Sequence, residues 1–317
     1  MQTPEGRRLC KNIYISLKTG EIMKTKNIET IKGYLFIGPN LAGFIILTLL
    51  PIIFSLVLCF SEWNMVGGIG DIKFVGLRNF TDMFKDVWFT DSLKNNIIFT
   101  CISVPVSVST ALLIALLLNK MVYLKNVLRT LFFIPYVTNV VAICLVWMML
   151  FQPSYGPING FLKAVGMSSP PGWLSSNYWA LVVIAMVHIW IFTGYNMVIY
   201  LAGLQGIPVE LMEAADIDGA TGAGKFFHIT LPLLSPTTFF ILITGLINSF
   251  KVFAPINIMT QGGPGTSTTV LVYQIYVSAF RFFKMGYASA IAWVLFIIIF
   301  IITYLQWIGQ KKWVNYM

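Results

Sequence analysis

The sequence predicts an all-α integral membrane protein of six transmembrane helices with both termini in the cytoplasm, and three observations carry that reading. Hydrophobic residues make up 57% of the 317-residue chain and charged residues only 10%, with a mean hydropathy of +0.79, whereas soluble domains carry about a quarter charged residues. The apolar residues fall in six long runs, and a helix of about 20 apolar residues crosses the roughly 30 Å hydrocarbon core with every backbone amide satisfied inside its own segment. Lysine and arginine gather in the segments that an even number of crossings leaves on one side, as basic residues do on the cytoplasmic face.

The elements follow in chain order. Residues 1–33 form a basic tail holding Arg7, Arg8, Lys11, Lys18, Lys24, Lys26 and Lys32. Nothing in it resembles a cleavable signal peptide, because the run that follows is too long and no small-residue cleavage site comes after it. Gly20-Glu21-Ile22 fits a purine-rich stretch just before the codon of Met23, so Met23 is a second candidate start beside Met1.

The first span is Tyr34–Phe60, with Pro39 and Pro51 inside it. An external segment, Ser61–Asn96, balances Lys73, Arg78, Lys85 and Lys94 against Glu62, Asp71, Asp82, Asp86 and Asp91. Within it Phe74–Asn96 sets aromatics at helical spacing among mixed charges, which predicts a short amphipathic helix on the outer surface with Trp88 and Phe89 at headgroup depth. The second span, Ile97–Leu118, contains Pro105; an inner loop follows with Lys120, Lys125 and Arg129. The third span, Leu131–Phe151, contains Pro135, and the external segment Gln152–Asn177 after it has Lys163 as its sole charge.

The fourth span, Tyr178–Leu204, contains Gly194 and Gly203, and a polar cytoplasmic loop, 205–232, leads from it to the fifth span, Leu233–Phe250. Lys251 closes that span although apolar residues continue to Ile258. The external loop Gln261–Thr269, QGGPGTSTT, is rich in turn residues and is expected merely to reverse the chain. The sixth span is Tyr287–Ile308, and Lys311 and Lys312 mark a cytoplasmic tail, 311–317. With no repeat or low-complexity linker evident, residues 34–310 read as one six-helix domain. Proline and glycine inside spans are tolerated where neighbours re-satisfy the backbone; simple kinks, or bent helices around a translocation path, both account for them.

The net charge of +9 reflects this topology and implies no nucleic-acid partner. Cys59, Cys101 and Cys144 lie in or at spans and Cys10 in the tail, the usage of small buried hydrophobes rather than a disulfide framework. The sequence offers no metal-ligand cluster and no nucleophile beside a base, so neither a metal site nor catalysis is expected.

The informative segment is the cytoplasmic loop, which reads EAADIDGATGAGKFFHITLP from Glu213 to Pro232. Its stretch Gly219 to Lys225 matches the start of a phosphate-binding GxxxxGK loop, but the next position, which must supply a hydroxyl to magnesium, is Phe226. A genuine loop of that kind also joins a buried strand to a helix, and this chain has no room for such a domain. Read as local structure, Pro208 opens a helix at the position where a missing amide costs nothing. Glu210, Glu213 and Asp216 then share one face while Leu211, Ala214 and Ala215 make a second, small-residue face, and Gly219 ends the helix at its C′ position. Glu210, Glu213, Asp216 and Asp218 face only Lys225 in opposition, against the positive-inside tendency, so the helix is expected to meet a basic soluble partner rather than anionic lipid.

Glu213-Ala214-Ala215, Gly219, Ile229 and Leu231-Pro232 together reproduce the EAA signature, and the chain resembles the membrane subunits of bacterial binding-protein-dependent ABC importers. The likeness runs from about Gly33 to Gln310. FVGLRNF, GLQGIPVELMEAADIDGAT and NSFKVFAPINIMTQGGPG are similar to the carbohydrate-uptake branch, of the maltose and glycerol-phosphate permease type, without the large external domain of the maltose subunit. The resemblance implies the type I importer permease fold in the bacterial cytoplasmic membrane. It also implies a second homologous permease, two ATPase subunits that bind ATP and magnesium, an external solute-binding protein and a sugar substrate, with no cofactor on this chain. It makes the loop a coupling helix: Glu213 pairs with a basic residue of the ATPase, Ala214 and Ala215 allow close approach, Gly219 gives the bend, and Asp218, Leu231 and Pro232 complete the contact.

Two departures stand out. Gly222-Ala223-Gly224 occupies a region where many relatives carry a bulky aromatic, which would loosen the turn after the coupling helix, and Ser249-Phe250-Lys251 with Ala254 replaces a common SFQ and following Asp. Lys251 either snorkels to the outer interface or lines the path and meets an anionic or heavily hydroxylated ligand, since a lysine buried in a span costs up to about 3 kcal/mol. Sugar recognition uses aromatic faces with amide and hydroxyl partners, so Trp190, Tyr195, Asn196, Asn248 and Ser249, with Lys251, are the candidate path residues. Hydrogen bonding between helices accounts for the polar ones equally well, and His188 reads as a packed histidine. A self-sufficient secondary transporter would need buried carboxylates, and none of the six predicted spans contains Asp or Glu.

Overall fold

The computed structural model describes residues 32–64, 68–120 and 124–315; the basic tail before Lys32 and the choice between Met1 and Met23 lie outside them. The chain divides between Val57 and Leu58 into two compact units. The first holds nearly all of α1, Lys32–Leu58. Its side chains are apolar all round and almost all exposed, the pattern of a helix whose solvent is lipid. A π-helical stretch, Ile45–Leu49, sits just before Pro51, where the Leu50 amide reaches back to the Ile45 carbonyl. The cause is Pro51, whose ring crowds the carbonyl four residues earlier and widens the turn.

The second unit begins with a two-residue hairpin, β1 (Ser61–Glu62) antiparallel to β2 (Lys73–Phe74), and a short helix, α2 (Arg78–Lys85). Asn79 holds the two together by donating to the carbonyls of Cys59 and Ser61, at 3.0 and 2.9 Å. The expected surface helix over 74–96 does not form as one piece. Asp86 adopts an extended conformation and its carboxylate accepts the Trp88 amide at 2.9 Å, so the chain turns and starts α3, Val87–Lys120. Phe89 is therefore core, 2% exposed among Met83, Phe250, Leu271 and Ile291, rather than at headgroup depth. Trp88 is half-buried with its ring edge-on to Phe282. The 34 residues of α3 make a rod of about 51 Å, which carries the expected second span and the end of the segment before it in one helix.

The run expected as the third span forms two helices. α4 (Lys125–Val137) and α5 (Val140–Leu150) meet at a bend of 97°. Pro135 already lacks the amide that would reach Leu131, and the Thr138 amide and hydroxyl both end on the Ile134 carbonyl. Asn139 then caps α5 by accepting the Val141 amide at 2.8 Å. After α6 (Pro157–Ala164) the fourth span, α7 (Ala180–Gln205), runs close to its expected bounds. Its Met197, Tyr200 and Leu201 pack on Ala111 and Ala115 of α3, small residues that let two membrane helices approach. Gly194 serves the same end against α4, since any side chain there would strike the Phe132 carbonyl.

The fifth span is α9, Ser235–Phe250, closed by Lys251 and continued after a break by α10, Ala254–Met259. The loop beyond it does more than reverse the chain. Asn95 of α3 donates to the carbonyls of Thr266 and Thr269, Asn96 accepts the Leu271 amide, and Asp91 accepts the Thr266 hydroxyl. It leads into α11, Leu271–Tyr276, and α12, Met285–Gly309. Tyr287 of α12 and Gln274 of α11 both donate to Asp86, at 2.6 and 3.3 Å, drawing three elements onto the residue that starts α3. Among the described residues five helices are long and apolar enough to cross a membrane, and the bent α4–α5 pair makes a sixth if it is one span.

Candidate functional site

The loop between α7 and α9 builds its own structure. Pro208 is the cap of α8, Val209–Ile217, rather than its first helical residue. Gly219 takes φ +71°, a left-handed conformation that glycine adopts without penalty. The Gly219 amide returns to the Asp216 carbonyl and the Ala220 amide to that of Ala215, at 3.1 and 2.9 Å, so the helix closes in a Schellman motif. Glu210, Glu213 and Asp216 lie along one exposed face, and Asp216 is ion-paired to Lys225.

The small-residue face is split. Ala214 is exposed and Ala215 is buried within the chain, so of the pair Ala214 alone is open to a partner. Around it Val209, Leu211 and Ile217 are exposed, Ile217 at 88%. Asp218 and Gly219 are exposed at the bend, and Leu231 and Pro232 are half-buried where the loop rejoins the spans.

Gly222 to Lys225 is ordered rather than loose. It forms one helical turn capped by Thr221, whose hydroxyl accepts the Gly224 amide at 3.2 Å. The amides of Gly219, Ala220, Gly224 and Lys225 donate to Asp216, Ala215 and Thr221, so these four are spent within the loop rather than turned toward a phosphate. A π-helical turn, Phe226–Thr230, follows. It precedes Pro232, whose ring crowds the His228 carbonyl as Pro51 does that of Leu47. Among the described residues no three His, Cys, Asp or Glu are grouped to hold a metal ion.

The candidate path residues separate. Trp190 is half-exposed with Trp147 edge-on at 5.6 Å, and Tyr195 stacks on Tyr136 at 4.5 Å. Trp190 also lines an apolar cavity of about 550 Å³ between α3, α4 and α7, beside Thr110, Phe132, Pro135 and Thr193. Asn196 and Ser249 are committed to helix–helix hydrogen bonds, Asn196 to Ser107 at 3.0 Å and Ser249 with Thr100 at 2.9 Å. His188 is buried, stacked on Phe192 at 4.4 Å. Asn248 is half-buried.

Lys251 is exposed at the break after α9, and among the described residues no carboxylate lies within ion-pair reach of it. The adjacent Ser249–Thr100 pair stands about 30 Å along α3 from Lys120, a full hydrocarbon thickness. Lys251 is thus at the end of the bundle opposite the loop. Tyr136, Trp147, Thr110 and Thr193 were not foreseen as neighbours of Trp190 and Tyr195. The signal was Thr138-Asn139, three residues after Pro135 in an apolar run, the sequence of a helix break.

Comparison with known proteins gives this geometry its family. The model of the binding-protein-dependent transport system inner membrane component matches residues 103–312. A probable ABC transporter permease protein, YesP of Bacillus subtilis, is 36% identical over 91% of this chain and 93% of its own length. The lactose transport system permease protein LacF of Rhizobium radiobacter is 34% identical over 90% and 96%. The fold matches a chain of the crystal structure of a bacterial ABC transporter for import of the acidic polysaccharide alginate, with a TM-score of 0.81 at 21% identity over 93% of this chain and 100% of that one. This chain belongs to the family of inner membrane components of binding-protein-dependent transport systems, the permease subunits of ABC transporters.

Proposed function

We propose that this chain is one of two permease subunits of an ATP-driven carbohydrate importer in the bacterial inner membrane, and that α8 is the helix by which a separate ATPase drives it. The observation that carries the reading is the state of the loop. Its two turns are closed locally by the Schellman motif and the Thr221 cap, while Val209, Leu211, Glu213, Ala214 and Ile217 stay exposed. A segment that is rigid, acidic and apolar at its surface suits docking into a basic cleft, where Glu213 pairs with a cation and Gly219 sets the exit angle.

In this arrangement the chain crosses six times with a bent third span, and both termini are inside. Residues 34–310 form the permease domain and 205–232 its coupling loop. ATP and magnesium stay on two ATPase subunits, a homologous permease supplies the other half of the path, and an external binding protein delivers substrate. Relatives named for lactose and for arabinooligosaccharides support an oligosaccharide. Trp190 and Tyr195, with Asn248 and Lys251, are the residues of the set that remain accessible to it.

The test is Glu213→Lys in the assembled transporter: ATP-coupled uptake is lost while the subunit still inserts, and normal uptake would refute the coupling role. One observation favours a second reading, an importer of an anionic solute. Lys251 carries an exposed charge with no carboxylate partner among the described residues, and a relative named for sn-glycerol-3-phosphate transport is 36% identical over 77% of this chain. Lys251→Met then weakens uptake of acidic but not neutral sugars; equal uptake of both removes Lys251 from the path.

A further inference from the structure

At the end of the bundle that carries the coupling loop, the chain folds back on itself. A single 3₁₀ turn, Gln310–Lys312, ends the helical run of α12, with the amides of Trp313 and Val314 both returning to the Gln310 carbonyl. The Asn315 amide then donates to the Ser235 hydroxyl at 2.9 Å, and that hydroxyl donates to the Pro232 carbonyl at 2.6 Å. One turn into α9, four positions after Ser235, the Trp313 ring stands edge-on to Phe239 at 5.9 Å.

The hydroxyl has a specific task. In a continuous helix the Pro232 carbonyl would accept an amide from residue 236, but Pro236 has none to give. The Leu234 amide reaches that carbonyl from within its own turn, which leaves the place of the missing residue-236 amide open. Ser235 is itself buried and supplies the side-chain donor there, and by accepting from Asn315 it ties the last described residues of the chain to the signature proline. The elbow Leu231–Ser235, where the coupling loop becomes the fifth span, is thereby fastened to the end of the sixth.

We propose that Ser235, Trp313 and Asn315 form a positioning strap, so that displacement of the coupling loop carries α9 and α12 as one body instead of flexing the elbow. The inference rests on the coupling role assigned to α8. It predicts that cutting the strap wastes ATP: hydrolysis continues while the spans no longer follow.

The experiment uses the complete transporter in proteoliposomes, with its ATPases, second permease and binding protein. It measures ATP hydrolysed per substrate imported, together with the yield of assembled complex. Ser235→Ala and a stop after Lys312 are each expected to raise ATP consumed per substrate severalfold, and Ser235→Thr, which keeps the hydroxyl, to stay within about twofold of the parent protein. An unchanged ratio in both disrupting variants, or a loss of uptake in strict proportion to lost complex, would overturn the strap as a positioning device. Glu213→Lys in the same assay separates the two ideas. If it stops uptake while Ser235→Ala changes nothing, the strap alone fails; if it too changes nothing, the coupling reading fails first.

Discussion

The fifth span has a polar, glycine-bearing loop at each end, and the two loops treat their side chains in opposite ways. Beyond α10, the loop over 261–269 gives its polar groups to the rest of the chain: Asp91 and Asn95 reach into it from α3, and Asn96 holds the residue at its exit. Its far end is buried, with Thr268, Thr269, Val270 and Leu271 all inside. Before α9, the loop over 205–232 makes its contacts within itself, through Asp216, Lys225, Thr221 and its own backbone, yet presents Val209, Leu211 and Ile217 to the outside. The lesson concerns where each loop has its binding partner. One is finished within the subunit, and the other is closed on itself with an apolar surface that the proposed ATPase contact would cover.

Glycine substitution should break that symmetry most sharply. Gly262 and Gly219 both have positive φ, +84° and +71°, a conformation that costs other residues roughly 1–2 kcal/mol. A Cβ on Gly262 would also lie 2.7 Å from the Tyr273 ring, whereas one on Gly219 meets nothing within 4 Å. The Tyr273 hydroxyl donates to the Gln261 carbonyl at 2.7 Å, so the ring has little freedom to retreat, and overpacking adds about 1–3 kcal/mol. Gly262→Ala is therefore expected to lower thermal stability of the detergent-purified subunit by about 2–5 kcal/mol in sum. Gly219→Ala should cost about 1–2 kcal/mol while reducing uptake far more than that loss of stability explains. Equal melting temperatures for the two variants would contradict the contrast.

How much of this was legible in the sequence follows the same division. The long apolar helices and the helix of the signature loop could be read because periodicity and length act locally: Gly219 sits where the helix needs a left-handed residue, and the acidic positions repeat at helical spacing. What depended on distant partners could not be read. Asp86 looked like one charge among many in an external segment, because nothing nearby indicates that Tyr287 and Gln274 come to it. Asn196 and Ser249 looked like path residues because a polar side chain in a span has the same sequence signature whether it meets substrate, as proposed for the path, or Ser107 and Thr100. The break at Thr138-Asn139 was written locally but hidden by an apolar run long enough to be one straight span.

The smallest expected effect on stability is at Ile217, and it tests the proposed ATPase contact most directly. Ile217 ends α8 with 88% of its surface exposed. Within the subunit it therefore has little burial to lose, and Ile217→Ser should leave stability within about 0.5 kcal/mol, as for surface substitutions generally. Against a docked partner the same side chain contributes its apolar area, and burying an isoleucine is worth about 1.5–3 kcal/mol. The variant should fold and insert normally yet retain its ATPase subunits about 10–100-fold less tightly, by the factor of ten that 1.4 kcal/mol represents. Co-purification across a range of detergent and salt concentrations measures that difference. Undiminished retention would place Ile217 outside the contact and confine docking to the face carrying Glu213 and Ala214.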